Sequence, residues 1–511
     1  MKRTLLAACS LLALLAPSFG AVAAEKEEKP KGSAHVRCDG APPHMDAGEV
    51  SARLLVIMAS GGLLGGGEVG DKSRRLEAEA GVAACTEALA EEPNDIRRVQ
   101  LTLARAVHHI EAKNPEAALA DARSVPGLAP EKLHDRGFRA GIGLGALEIE
   151  AAALARLGRG AEAEEVALKM VAAAPFDLMN LARAEQYIGL TAEMTPAKVD
   201  FYERLVRMYP ASLTSRATDR EWAGDWLGSA RDVEALMQIY DGFRTDKEPD
   251  PPAFTARRAL SYALGGDMAK ANALAAEARA EVDRLMKTGE ALNDQAGVSR
   301  AEELLDFQAV VRLSAEGKAE EARRAFTARS RWMAPSAPAV AVIAKRLRAG
   351  ASPAELTGSL ARDPDAVLAE ALAAKTGALA EKRDAVALLY SGIRPYTRGD
   401  TFSGASRRVW KVDKPSYVTK RTGKEKHNGE FVYIGDLYGS QVSEALMLHC
   451  ALVARKRGYT GFVLAPTRKQ LNATLVRFGN PGDPGFPVEA TNDAVAVIAA
   501  LSPMIPPPAK H

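Results

Sequence analysis

Aromatic side chains are scarce, at 5% of 511 positions, so the chain gives no pointer to a sugar or aromatic-ligand cleft. An excess of one charge is missing too. Lys and Arg total 67 against 65 Asp and Glu, a formal net charge of +2, which gives no reason to expect a polyanion partner and sets nucleic acid aside. After the first 24 residues no apolar run approaches the length needed to span a bilayer. With 47% hydrophobic and 26% charged positions, the composition excludes wholesale disorder.

The start reads as an export signal. Lys2 and Arg3 precede an apolar run from Leu5 to Leu15, and small residues Ala21 to Ala24 precede the charged Glu25-Lys26-Glu27-Glu28. Cleavage is expected near Ala24, giving a periplasmic or secreted product without a membrane-spanning segment. Of four cysteines, Cys9 leaves with the signal, while Cys38, Cys85 and Cys450 remain. An oxidising compartment permits a Cys38–Cys85 disulfide; two separate thiols are the alternative.

Residues 25–50 are charged, then rich in Gly, Pro and His, and 25–71 as a whole is expected to form a flexible lead-in. His35, Cys38 and His44 offer metal-ligand types without a familiar spacing, and neither a metal nor a cofactor is expected. Leu54 to Met58 followed by glycines and Lys72-Ser73 approximates a phosphate loop. Asp71 spoils the spacing and brings negative charge toward the phosphate position.

Between 72 and 334 the texture changes. Ala, Leu, Glu and Arg dominate, with apolar residues three or four apart and short Gly, Asn, Asp or Pro interruptions. Stacked helical hairpins satisfy that pattern, because each short helix must cover its apolar face with a neighbour's. Ala151, Leu154, Gly158, Ala163, Ala167, Met170 and Pro175 form one unit; Cys85, Ala88 and Pro93 end another; Ala197, Phe201, Leu205 and Pro210 follow the same offsets. Leu313, Gly317, Ala322 and Phe326 repeat them late in the stretch, with a weaker unit at Tyr262, Gly265 and Gly266. On these residues the chain resembles tetratricopeptide or SEL1-like helical repeats, over about half its length. Most units lack the first-helix tryptophan, which leaves repeat count and boundaries open.

Residues 335–398 read as a helical continuation or cap, with Asp363-Pro364-Asp365 as a helix start. Residues 399–511 read as a small α/β domain: strands at Phe431–Ile434 and Gly461–Leu464, a helix from Gln441 to Arg457, and an apolar segment from Asn492 to Leu501 that fits strand or helix. Ser443 to Leu464 also resembles a helix-then-strand segment of small exported bacterial envelope proteins of unknown activity, which transfers no catalytic residue. The expected fold is therefore mainly α, a tetratricopeptide-like α-solenoid followed by a small C-terminal α/β domain.

Three sets of residues carry chemistry. Cys450, with His449 adjacent and His427 upstream, is a candidate nucleophile; its place on a stripe with Val442, Leu446 and Val453 argues for the core instead. Glu430, Asp436, Glu444 and His427 could share acid and base roles, against a reading as solvent-facing loop residues. Trp410, Lys411, Lys414, Tyr417, Lys420, Arg421, Lys424 and Lys426 form a basic, aromatic stretch suited to an acidic envelope polymer, anionic lipid or protein. The resemblance to the repeat family implies protein or peptide ligands, hence a periplasmic scaffold or adaptor. The alternatives are a hydrolase or thiol enzyme in the terminal domain, or a glycan or anionic-surface binding module.

Overall fold

The computed structural model describes residues 32–43, 71–131, 134, 138–244, 250–381, 389, 408–412, 418–419, 428–434, 441–466 and 473–508. The expected signal at 1–24 and the Gly-rich run before Asp71 lie outside them.

Paired helices account for most of the chain. α1 (Ala34–Asp39) leads to α2 (Ala78–Glu91), α3 (Asp95–Glu111) and α4 (Pro115–Leu128). There follow α5 (Leu144–Arg156), α6 (Gly160–Ala173), α7 (Leu178–Ala184), α8 (Pro196–Met208), α9 (Leu213–Trp222) and α10 (Trp226–Phe243). Then come α11 (Pro252–Leu264), α12 (Met268–Thr288), α13 (Gln295–Ala315), α14 (Ala319–Thr327), α15 (Ala337–Arg348) and α16 (Pro364–Glu381). From α3 to α14 each helix packs on its hairpin partner, and small residues set the spacing: Ala151, Ala163 and Ala167 are wholly buried where α5 meets α6. The result is a mainly helical, repeat-packed array.

The turns show why the hairpins form. Gly224 and Gly266 take left-handed φ values of 77° and 91°, which glycine adopts without a Cβ clash. The aspartate after each then caps the second helix: Asp225 accepts from the Gly228 N–H and Asp267 from the Lys270 N–H.

One expectation needs correction, at the start of the array. Within the lead-in, 34–39 is a helix capped by Ser33, joined to α2 by the Cys38–Cys85 disulfide and to α3 by an Arg97–Asp39 ion pair. The lead-in fails as a description there because these cross-links give a short segment the partners its composition does not advertise. At the other end, α16 turns back and packs on α5 as well as on its neighbour α15.

The C-terminal module is a five-stranded antiparallel sheet in the order β1-β2-β4-β3-β5, made of β1 (Val418–Thr419), β2 (Glu430–Tyr433), β3 (Gly461–Leu464), β4 (Ala473–Gly479) and β5 (Asn492–Asp493). Two helices, α17 (Gln441–Lys456) and α18 (Ala494–Leu501), pack on one another. The segment left open between strand and helix is thus both, with Asp493 ending the strand and capping α18 through the Val495 and Ala496 N–H groups. β4 was not expected: Thr474 and Arg477 interrupt its apolar residues, yet it is the central strand pairing with both β2 and β3.

Sequence texture changes at 399, but the core does not divide there. One buried cluster joins Phe201 and Leu205 of α8 to Val432, Cys450, Phe462 and Leu501, and a second joins Leu236 and Phe243 of α10 to Val463 and Phe486. Polar contacts repeat the seam. Asn492 Nδ2 donates to the Arg207 carbonyl at 2.8 Å, and Asn428 donates through its backbone to Phe243 O at 3.0 Å and through its side chain to Arg244 O at 2.7 Å.

Candidate functional site

The most unusual chemistry lies where α6, α8, α9 and α16 meet. Thr195 caps α8 by accepting from the Lys198 N–H, with Pro196 fixing the first turn, and this places the Lys198 side chain at 1% exposure. Its ammonium donates to the Thr191 carbonyl at 3.1 Å and the Glu193 carbonyl at 2.9 Å, and lies 3.2 Å from a Glu164 carboxylate oxygen. Glu164 also accepts from the backbone N–H groups of Gly189 and Thr191. Buried lysine and glutamate thus satisfy each other and the turn between them, which a desolvated pair requires.

Asp219, at the end of α9, closes the junction. The Tyr202 hydroxyl donates to it at 2.9 Å. Burial pushes its carboxyl above the ordinary range, against the pull of Lys198, Lys375 and the Tyr202 hydrogen bond. Burial likewise raises the Tyr202 phenol, helped by the neighbouring Asp219 charge. Gly189 sits against this carboxylate at φ 98°, where an added Cβ would come within 2.9 Å of an Asp219 oxygen.

Lys375 enters from α16, 186 residues along the chain from Gly189. Its ammonium donates to the Gly189 carbonyl at 3.1 Å, lies 4.0 Å from Asp219 Oδ1 and sits 4.4 Å above the Trp222 ring centroid. A carbonyl, a carboxylate and an indole face together make an ammonium cradle. Burial pushes the Lys375 amine down from its ordinary value, with Asp219 opposing. None of these residues was singled out from the sequence; Lys198 and Lys375 look like ordinary lysines of helix surfaces, and only Trp222, one of four tryptophans, offered a signal.

A second charged cluster sits beside the disulfide. His108, fully buried, bonds through Nε2 to the Cys38 carbonyl at 2.8 Å and through Nδ1 to Glu111 at 2.7 Å. Arg75 and the Ala78 N–H also reach Glu111. Burial raises the Glu111 carboxyl, but hydrogen bonds from His108, Arg75 and Ala78 outweigh it and hold it at about 2. Cys38, Cys85 and His108 come within 4.8 Å of one another; the sulfurs are bonded to each other and both ring nitrogens are engaged, so the trio packs rather than presenting ligands. This also corrects the His35, Cys38 and His44 grouping: His35 pairs with Glu92 at 3.1 Å, Cys38 is in the disulfide, and His44 lies outside the described residues. Of the phosphate-loop resemblance, the described part shows Ser73 donating to Asp71 at 2.6 Å.

Cys450 is wholly buried on α17, and burial pushes its thiol far up, which favours the unreactive neutral form. His449 is 1% exposed, its Nδ1 2.8 Å from the Val409 carbonyl, and burial lowers it from its ordinary value. The two neighbours are thus committed to packing and to a backbone bond. His427 and Asp436 lie outside the described residues; Glu430 pairs with Arg457 at 2.6 Å, and Glu444 is buried. The structure does not bring the described members together as an acid–base site.

Of the basic stretch, Trp410 and Lys411 are described. The Trp410 indole donates to Ile505 O at 2.8 Å and stitches the module, while Lys411 is exposed. Lys414, Tyr417, Lys420, Arg421, Lys424 and Lys426 lie outside the described residues. A cavity of about 510 Å³ opens at the seam between α8 and α18, with Phe176, Met208 and Val497 on its apolar side and Arg204, Arg207 and Asp493 on its polar side. No helix of the described residues is long and apolar enough to cross a membrane. Comparison with protein families, with curated proteins and with solved structures finds no match for this chain.

Proposed function

We propose that this chain is an exported, periplasmic adaptor of tetratricopeptide type, whose helical array holds a segment of a partner protein of the cell envelope. The observation that carries this reading is the seating of α16. A helix with one half-buried stripe lies against α5 and reaches the turn at Gly189 and the end of α9, so the first helices α5 and α9 and the turn at Gly189 together offer a surface that accepts a helix. Helical hairpin arrays bind through such surfaces because successive first helices place side chains side by side along one face.

The test is photo-crosslinking in cells of a diderm bacterium expressing the full chain, with a photoreactive residue at exposed positions beside α16 and, for comparison, at exposed positions on α12. Specific protein adducts beside α16 and fewer on α12 are the expected outcome. Adducts spread equally over both faces, or none at either, would overturn the adaptor reading.

A further inference from the structure

The way α16 is held suggests what the array recognises. Val367, Leu368, Ala371, Leu372, Lys375, Thr376 and Leu379 form a half-buried stripe, while the opposite side is exposed; after Pro364, no residue of the helix through Leu379 is fully buried. A cavity of about 380 Å³ runs along its flank, between Val367, Glu370 and Ala374 on one side and Trp332 and Pro335 on the other. The helix is therefore incompletely packed along its length; an exposed Asp365–Lys345 ion pair holds its first turn, and its polar contact with the array is the half-buried Lys375 ammonium. The cradle, by contrast, is set by buried groups of the array itself: the Gly189 carbonyl is fixed by the turn that Glu164 and Lys198 hold, and Asp219 by Tyr202.

We infer that this cradle is a lysine-recognition site and that α16 is its internal placeholder, displaced by a partner helix that presents a lysine on an apolar stripe. The inference rests on the adaptor reading and deepens it. The recognised pattern follows from the occupant: an apolar or small residue eight and four positions before the lysine and four after it, as Val367, Ala371 and Leu379 stand to Lys375. Ala371, one turn before the lysine, lets the helix approach closely there. The lysine supplies direction, since an ammonium over an indole face beside a carboxylate is recognised at a fixed depth.

The probe is a fluorescein-labelled peptide of residues 363–381, titrated by anisotropy against the full chain. In the variant Ala371→Pro, proline breaks α16 internally and leaves every cradle residue in place. We expect this variant to bind the peptide at least about tenfold more tightly than the wild-type chain, and a peptide with Lys375→Met to lose about tenfold in affinity. Full-chain Trp222→Leu combined with Ala371→Pro should lose the preference for lysine over methionine. Equal binding of lysine and methionine peptides overturns the inference. So does a failure of Ala371→Pro to bind when its circular dichroism is retained and its α16 amides exchange freely, or a dimer formed by exchanging α16 between copies without peptide uptake. If Ala371→Pro does not fold, full-chain Lys375→Met takes its place, with faster exchange in α16 and gain of lysine-peptide binding expected and their joint absence overturning. Crosslinked partners that the peptide does not compete away would leave the adaptor reading standing and remove the cradle alone.

Discussion

Replacing Lys198 with methionine keeps the length of the side chain and removes its charge, which isolates what the buried ammonium contributes. The wild-type group donates to two carbonyls and neutralises Glu164 at 1% exposure. Its loss leaves the Thr191 and Glu193 carbonyls without that donor and Glu164 charged at a buried site, though Glu164 keeps the Gly189 and Thr191 N–H groups. Breaking a buried pair costs about 3–5 kcal/mol, and the retained donors place this case near about 3. An opening free energy lowered by about 3 kcal/mol raises the open population by about two orders of magnitude. Hydrogen exchange with mass-spectrometric readout should show that acceleration over residues 187–199. An exposed pair supplies the control: Arg204–Asp200, spaced i,i+4 on the same helix at 3.0 Å, should cost less than about 0.5 kcal/mol when Arg204 becomes methionine. Adding Glu164→Gln to Lys198→Met should recover about 1 kcal/mol or more, since it removes the stranded charge. Exchange altered less than tenfold by Lys198→Met, or equally by Arg204→Met, would refute the reasoning.

Three further outcomes follow from single observations. Glu111 has its carboxyl depressed from 4.5 to about 2, so its contribution is present above pH 4.5 and lost as pH falls toward 2; Glu111→Gln should remove about 1–2 kcal/mol at pH 7, after discounting for solvent screening, and flatten unfolding free energy against pH in that window. The disulfide spans a sequence separation of 47, for which loop-closure entropy gives about 4 kcal/mol; the double variant Cys38→Ser, Cys85→Ser should free α1 to proteolysis under non-reducing conditions, and unchanged cleavage would speak against the cross-link. Gly189→Ala should cost about 2–3 kcal/mol, because backbone strain adds to the contact with Asp219, whereas Gly158→Ala, whose Cβ meets nothing within 4 Å, should cost about 1; equal shifts in melting temperature would contradict the distinction.

Helical hairpins were legible because their causes are local. Apolar spacing, a left-handed glycine and an aspartate cap lie within a few residues of each other, as at Gly224-Asp225 and Gly266-Asp267. The stripe through Val442, Leu446, Cys450 and Val453 was readable for the same reason and proved buried. β4 was missed because a short central strand carrying Thr474 and Arg477 has no periodic signature; Arg477 is accommodated by stacking its guanidinium 4.7 Å from the Phe486 ring.

What the amino-acid order determined by itself is a series of amphipathic hairpins and a small α/β segment after them. Tertiary structure alone decided that α16 returns to α5, that the module shares cores with α8 and α10, and which two lysines among many end on carbonyls and carboxylates of the array, Lys198 buried and Lys375 half-buried. Periodicity reports which face of an element is apolar, over a range of three or four residues. It carries no information about what covers that face when the partner lies 186 residues away, as Gly189 does from Lys375, and a lysine reads the same in sequence whether its ammonium ends in water or in a cradle of carbonyl, carboxylate and indole.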